Sequence, residues 1–562
     1  MTIVFSMIIA AQVVTGVQGG SPRDTPRPPA VTGTAVIRGR VFAADTGRPL
    51  RRARITVSAP ELGSDDRSIS TGPDGKYEIK DLPAGRYTVT ATRSGYLTLR
   101  YGQRRPLEQG RPLQLADRQL VDNIDFTLPR MSLITGRVFD EANEPVSAVQ
   151  VMAMRTVYFE GRRRLVPAGG FVQTDDAGQY RLLNLNPGTY YVFAQLRETW
   201  TVTEGGAQQT FGYATTYFPG TTSATEARRV TVGIGQEASN TDFALVPGRA
   251  VMITGTAFDS RGTPLTGQSV SLGQEQRGPN LNFMFSGNAG SVGTDGTFTI
   301  KNVAPGEYKL TVGGAIDKGP IKIQERAALP IVVNGVDVDN VTLVTSQGWN
   351  VSGQVVVDST SGQPPAFNRV RVQGRLIRPE LDPRLPPNAD NGRVKDDGTF
   401  GVTGLFGSAL LRVNTPDNLV LRAVLHNGRD ITDEPVEMRS GEELTGVQII
   451  LTDRMTTVTG QLSDSNGAPI SDGTVIVFAD EAQKWMENSR FVRSARPDQE
   501  GRYQMKGLPP GEYLAVAVDY VQDGMWNDPE YLDSIKRYAQ RFALGESETR
   551  TVSLKLTAVA AP

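Results

Sequence analysis

One strand pattern opens five successive segments of this chain, and that recurrence limits the possible folds more than any other feature. Ile37-Arg38-Gly39-Arg40-Val41-Phe42 returns as Ile134-Thr135-Gly136-Arg137-Val138-Phe139 and as Ile253-Thr254-Gly255-Thr256-Ala257-Phe258. It returns again as Val351-Ser352-Gly353-Gln354-Val355-Val356 and Val458-Thr459-Gly460-Gln461-Leu462. Apolar positions alternate in each, as a strand with one buried face requires. Successive openers stand roughly a hundred residues apart, the size of a small domain and too long for a solenoid repeat that depends on its neighbours to fold.

Turn sequences and a second strand follow the opener. Asp45-Thr46-Gly47-Arg48-Pro49, Asp259 to Pro264 and Asp464 to Pro469 are turns, leading to runs such as Ala53-Arg54-Ile55-Thr56-Val57 and Thr474-Val475-Ile476-Val477-Phe478. The middle of each segment repeats more closely still. Asp74-Gly75-Lys76-Tyr77 leads into Leu82-Pro83-Ala84-Gly85-Arg86-Tyr87, with counterparts at Gly178 to Tyr190, Asp295 to Tyr308 and Gly501 to Tyr513. Glycine admits the left-handed residue that starts one strand, and Pro-x-Gly turns the chain into the next. The aromatic two residues after each glycine is predicted to fill a sandwich core. The fourth segment keeps Asp397-Gly398-Thr399-Phe400 but has Leu405-Phe406-Gly407-Ser408-Ala409 where the others have Pro and Tyr. Alternating strands such as Asn123 to Leu128 and Asn240 to Leu245 close the segments. The prediction is all-β: a tandem array of about five antiparallel β-sandwich domains. The 60 glycines and 35 prolines among 562 residues suit that many turns.

The strand-Gly opener, the Asp-Gly-x-aromatic turn and the Leu-Pro-x-Gly-x-Tyr turn resemble the carboxypeptidase regulatory-like domain, with five copies after residue 35. That resemblance implies a prealbumin-like (transthyretin-like) sandwich within the wider carbohydrate-binding-like fold; function separates easily from fold. Family members trail a zinc carboxypeptidase or precede an outer-membrane receptor barrel, and neither pattern is expected here. The similar Cna-type module forms Lys–Asn isopeptide bonds from a lysine in its opening strand. Arg38 and Arg137 stand in the openers instead, so self-crosslinking is not expected.

Absences narrow the chemistry further. With no cysteine there is no disulfide framework, cysteine-ligated zinc or iron–sulfur cluster. His426 is the single histidine, which rules out any site built on two imidazoles. The 59 basic and 60 acidic residues nearly balance, so a nucleic-acid partner is not expected. Residues 1–20 read as a signal peptide around the apolar run Ile3 to Val14, although no Lys or Arg precedes it, and 21–34 as a Pro-rich linker. No later stretch is apolar for the roughly 20 residues a membrane span needs, so the mature chain is expected without one. The expected domains are 35–130, 131–248, 249–348, a divergent 349–455, and 456–562. Joints such as Leu128-Pro129-Arg130-Met131 read as restricted hinges in an array either straight or folded back.

Each candidate site also admits a plain structural role. His426 lies at a strand end beside an Asn427-Gly428 turn, with no catalytic partner in view. The Asp-rich turns Thr174 to Gly178 and Lys395 to Gly398 read as Asx turns rather than calcium loops. Repeated acids at shared turns do not form the single carboxylate pair of a glycosidase. Arg104-Arg105 and Arg162-Arg163-Arg164 read as solvated loop faces. Tyr96 and Tyr101, after the Pro-x-Gly-x-Tyr strand of segment one, parallel Tyr213 and Tyr217 after its counterpart in segment two. Rings on equivalent loops offer flat faces to sugars, or cover a sandwich edge or inter-module joint. Trp485 and Trp526 fall in insertions of the last segment; Asp528-Pro529-Glu530 then starts a short helix with Tyr531, Ile535, Tyr538 and Phe542 on one apolar face. The expected function is a non-catalytic, cofactor-free array, secreted, periplasmic or on the cell surface, that binds carbohydrate or acts as an adhesive spacer. The alternative is a structural scaffold, or a protein-interaction partner of an outer-membrane or secreted enzyme system.

Overall fold

The computed structural model describes residues 32–557 except 63–65, 106–107, 160–161, 278–281, 319–320, 360–366, 378–390, 417 and 487–488. The expected signal peptide and all but the last three residues of the expected linker lie outside the described residues. Strands dominate every segment, here called repeats one to five, and the α-helix Pro529–Ile535 lies in repeat five.

Each opener is the spine of one sheet. In repeat one the strand Ala35–Ala43 pairs antiparallel with Lys76–Leu82, which follows the Asp-Gly turn, and parallel with the closing strand Phe126–Leu128. Both pairings recur around Ser132–Phe139, Val251–Phe258, Trp349–Asp358 and Thr457–Ser463. The facing sheet pairs Arg54–Ser58 antiparallel with the Pro-x-Gly strand Gly85–Thr92. Repeat four makes the equivalent pairing between Arg371–Leu376 and Ala409–Asn414, despite its altered turn. There Trp349, 1% exposed, donates its indole N–H to the carbonyl of Gly407 at 2.9 Å.

The repeated residues share one local device. The Tyr77 hydroxyl donates to the Ile124 carbonyl at 2.6 Å, Tyr180 to Thr241 at 2.6 Å, and Tyr503 to Val552. Those same carbonyls press on the opener glycines. A Cβ on Gly39 would stand 2.1 Å from the Ile124 oxygen, and one on Gly136 2.2 Å from that of Thr241. The glycine thus lets the closing segment cross the opener while the tyrosine satisfies the carbonyl that crosses. The second tyrosine of each motif reaches back four residues: Tyr87 to Pro83 at 2.8 Å, Tyr308 to Ala304 at 2.9 Å and Tyr513 to Pro509 at 2.6 Å. Hydrophobic clusters follow the repeats in order, the first running from Ala35 to Leu128.

Repeat five carries a further cluster on the outer face of its second sheet, in which Phe478, Trp485 and Val516 pack against the helix residues Tyr531, Leu532 and Ile535. Asp528 caps that helix by accepting from Glu530 N at 3.1 Å. The predicted stripe ends early: Tyr538 is 43% exposed, and Phe542 belongs to the strand Gln540–Leu544 and the sandwich core.

Repeats one, two and four pack onto repeat five. From repeat one, Arg104 pairs with Asp472 at 2.5 Å, Arg105 with Asp519 at 3.2 Å, and Glu108 with Arg496 at 2.7 Å. From repeat two, Arg163 reaches Asp528 at 3.0 Å and Glu530 at 2.7 Å, and Tyr158 packs on the Phe478–Trp485 cluster. From repeat four, Asp433 accepts from Arg490 at 2.8 Å. The two arginine runs are exposed as expected, Arg104 at 73%, Arg105 at 54% and Arg163 at 52%, but the second run is not a loop and both carry long-range ion pairs. Arg162–Pro167 is a strand, and Arg104, Arg105 and Arg163 are bonded to carboxylates too distant in sequence for local pattern to reveal.

Candidate functional site

The four candidate tyrosines fall into two groups, one in repeat one and one in repeat two. Tyr96 is 9% exposed and the Arg130 guanidinium lies 4.9 Å from its ring centre. Tyr101 is half-buried against the core of repeat one, with Arg111 4.9 Å over its ring, and Arg111 donates onward to Ser471 of repeat five. Tyr213 packs 4.9 Å from Trp200, and its hydroxyl donates to Glu141 at 2.9 Å. Burial first, then Glu141, raises the Tyr213 pKa above the ordinary phenol value. Tyr217 packs 5.6 Å from Phe193, and burial raises its pKa too. Tyr213 also borders a crevice of about 80 Å³ between repeats two and three, next to Tyr308 and Asn302. That is room for two or three waters at about 30 Å³ each.

The remaining candidates take local roles. His426 ends the strand Val420–His426, and Asn427 and Gly428 turn with φ of 51° and 79°. Asp74, Asp295 and Asp397 each accept from the backbone N–H two residues on, the Asx-turn bond. Asp175 and Asp498 accept the same bond and a second one from the N–H four residues on. Among the described residues no group of three or more His, Cys, Asp or Glu is placed to hold a metal ion. No described helix is long and apolar enough to cross a membrane.

Docking creates a cleft of about 1100 Å³ where repeats one, four and five meet. Its floor is the outward face of the repeat-five opener sheet. Strand alternation points Thr459 and Gln461 into it from one strand and Arg502, Gln504 and Lys506 from the next. Thr459 faces Gln504 on one side and Thr551 on the other, and the two threonine hydroxyls lie 3.3 Å apart. The cross-strand partners Arg86 and Gln114 of repeat one form a wall, and Pro416, Leu419 and Val420 of repeat four form another. Arg502 is engaged by Asp498 at 3.3 Å, and Gln461 donates to the Glu500 carbonyl at 3.3 Å. Gln114, Gln504 and Lys506 make no side-chain hydrogen bond or ion pair among the described residues. Burial lowers the Arg86 pKa, with the charge of Asp498 opposing the shift. Sequence alternation alone marks these positions as outward-facing; the roof over them comes from other repeats.

Residues 36–129, which span most of repeat one, match the carboxypeptidase regulatory-like domain family. No curated protein matches the chain. Among solved structures the chain is similar to a streptococcal ancillary pilin at 12% identity, over 56% of this chain and 98% of that one, with a TM-score of 0.19. It is similar to the Bacillus anthracis TIE protein at 10% identity, over 95% and 76%, with a TM-score of 0.15. The shaft pilin SpaA of Lactobacillus rhamnosus GG shares 14% identity over 39% and 98%, with a TM-score of 0.19.

Proposed function

We propose that this chain is a non-catalytic carbohydrate-binding protein of the cell exterior or envelope, whose repeats act as one body. The observation that carries this reading is the cleft among repeats one, four and five. Its open amide, hydroxyl and ammonium groups suit the dense hydroxyls of a sugar chain, and its volume exceeds the roughly 300–1,000 Å³ of a typical small-molecule pocket. The test is calorimetric titration of residues 21–562 against a panel of soluble polysaccharides. Saturable binding supports the reading, and a panel without binding overturns it. Replacing Tyr101 or Tyr217 with Ala in the same assay separates a loop-borne site from the cleft.

A second reading, a scaffold or protein-interaction partner, is favoured by a different observation: each candidate tyrosine ring packs against another side chain of this chain. Cross-linking on intact cells, followed by identification of the attached envelope protein, tests that alternative.

A further inference from the structure

We infer that the cleft among repeats one, four and five takes an acidic polysaccharide, with carboxylates meeting Arg86 and Lys506 and hydroxyls meeting Gln114, Gln504 and Thr551; this rests on the carbohydrate reading above.

Three features of the lining select charge over neutral sugar. First, the cations Arg86, Arg502 and Lys506 outnumber the carboxylates Glu61 and Asp498. Arg502 is already paired with Asp498 and Glu500, which leaves Lys506 without a partner among the described residues and Arg86 half-buried, with the charge of Asp498 acting on it. A half-buried cation that has shed water gains from an incoming anion more than a solvated one does.

Second, among the described residues the cleft offers no ring face for sugar stacking. Tyr503 is the aromatic residue in the lining, and it is 3% exposed with its hydroxyl committed to Val552. Affinity must therefore come from polar contacts, and hydrogen bonds to charged groups are roughly twice as strong as neutral ones.

Third, the open groups form a ladder. Arg502, Gln504 and Lys506 project from alternate positions of one strand, about 6.8 Å apart. Thr459 and Thr551 continue the Gln504 row across two neighbouring strands. An extended polymer has successive contacts to make along such a surface, whereas a single small anion would use one rung.

The experiment compares polygalacturonate and alginate with neutral dextran and galactan by calorimetry on residues 21–562, at low and high salt. The acidic polymers should bind, more weakly at high salt. Lys506→Gln should reduce that affinity on the order of tenfold without altering the melting temperature, since Lys506 is exposed and unbonded. Gln114→Glu, also at an exposed position, should weaken it similarly by opposing the ligand's charge. Equal binding of neutral polymers, untouched by both variants, overturns this inference while leaving the carbohydrate reading standing. Binding of poly-L-glutamate in place of any sugar overturns both in favour of an acidic protein partner. Absence of all polysaccharide binding overturns both as well.

Discussion

The Arg496 guanidinium meets the Glu108 carboxylate at 2.7 Å, with the two side chains only 1% and 4% exposed, and so joins the last repeat to the first. The same arginine donates to the Gln109 carbonyl at 2.8 Å. Glu108 in turn accepts from the backbone N–H groups of Arg104 and Arg105 at 3.0 and 3.2 Å, organising the loop that docks. A buried pair of this kind is weak evidence of net stabilisation, but losing one partner strands the other charge away from water. Arg496→Met should cost about 3–5 kcal/mol of docking free energy. Small-angle scattering should then report a larger radius of gyration. The double variant Glu108→Gln with Arg496→Met should regain much of the loss, because no buried charge is left unpaired and the introduced amide oxygen can still accept from the Arg104 and Arg105 N–H groups.

The glycine–tyrosine–carbonyl device predicts two unequal penalties in repeat two. Tyr180→Phe keeps the ring but leaves the buried Thr241 carbonyl without the phenol donor, at a cost of about 1–2 kcal/mol. Gly136→Ala places a methyl 2.2 Å from the same oxygen and forces the crossing segment away, at a cost of about 3 kcal/mol. The combined variant should cost less than the sum, since displacing the Thr241 carbonyl already breaks the tyrosine bond. Denaturant titration of the three proteins measures each term.

Most of the strand order within a repeat can be read from sequence because it is set locally. Alternation in Ile37 to Phe42 fixes the buried face, and Gly75, with φ of 74°, starts the strand that carries Tyr77. Sequence also marks Asp528 and Pro529 as the helix start. What it hides is everything that depends on distant partners. The parallel return of Phe126–Leu128 beside the opener requires knowing which sheet edge remains open. Arg104 and Arg163 look like any surface arginine until Asp472 and Asp528 are brought to them. The cleft is the extreme case. Gln504 and Lys506 are ordinary outward positions of a strand, and they become a site only when repeats one and four enclose them.

Buried phenols predict a loss of stability in alkali. Burial raises the pKa of Tyr77, Tyr180 and Tyr503 above the ordinary value, and pushes Tyr308 and Tyr531 to about 12. Below about pH 10 folded and unfolded chains both keep the phenolic proton, so the stabilisation is fully present. Above pH 10 the unfolded chain releases it while the fold retains it. Stability then falls by about 1.4 kcal/mol per pH unit for each such tyrosine, until the folded value is passed. Melting temperature followed from pH 8 to 12 should therefore hold and then drop. Tyrosinate absorbance from these residues should rise together with unfolding; a rise that precedes it would contradict the argument.

The contact between repeats two and five rests on close backbone approach as well as on charge, and the two contributions can be separated. Gly524 has φ of 82°, and a Cβ there would lie 2.3 Å from the Tyr158 carbonyl oxygen. Gly524→Ala should therefore push the Tyr158 strand off the Phe478–Trp485 cluster. Arg163→Ala removes the bonds to Asp528 and Glu530 but leaves that apolar packing in place. Because Arg163 is itself 52% exposed, its loss should cost no more than about 1 kcal/mol. Hydrogen exchange distinguishes them. Gly524→Ala should speed exchange both in the Gln150–Phe159 strand and around the helix Pro529–Ile535, whereas Arg163→Ala should leave both nearly as protected as before. Equal deprotection by the two variants would mean that charge, not packing, holds the repeats together.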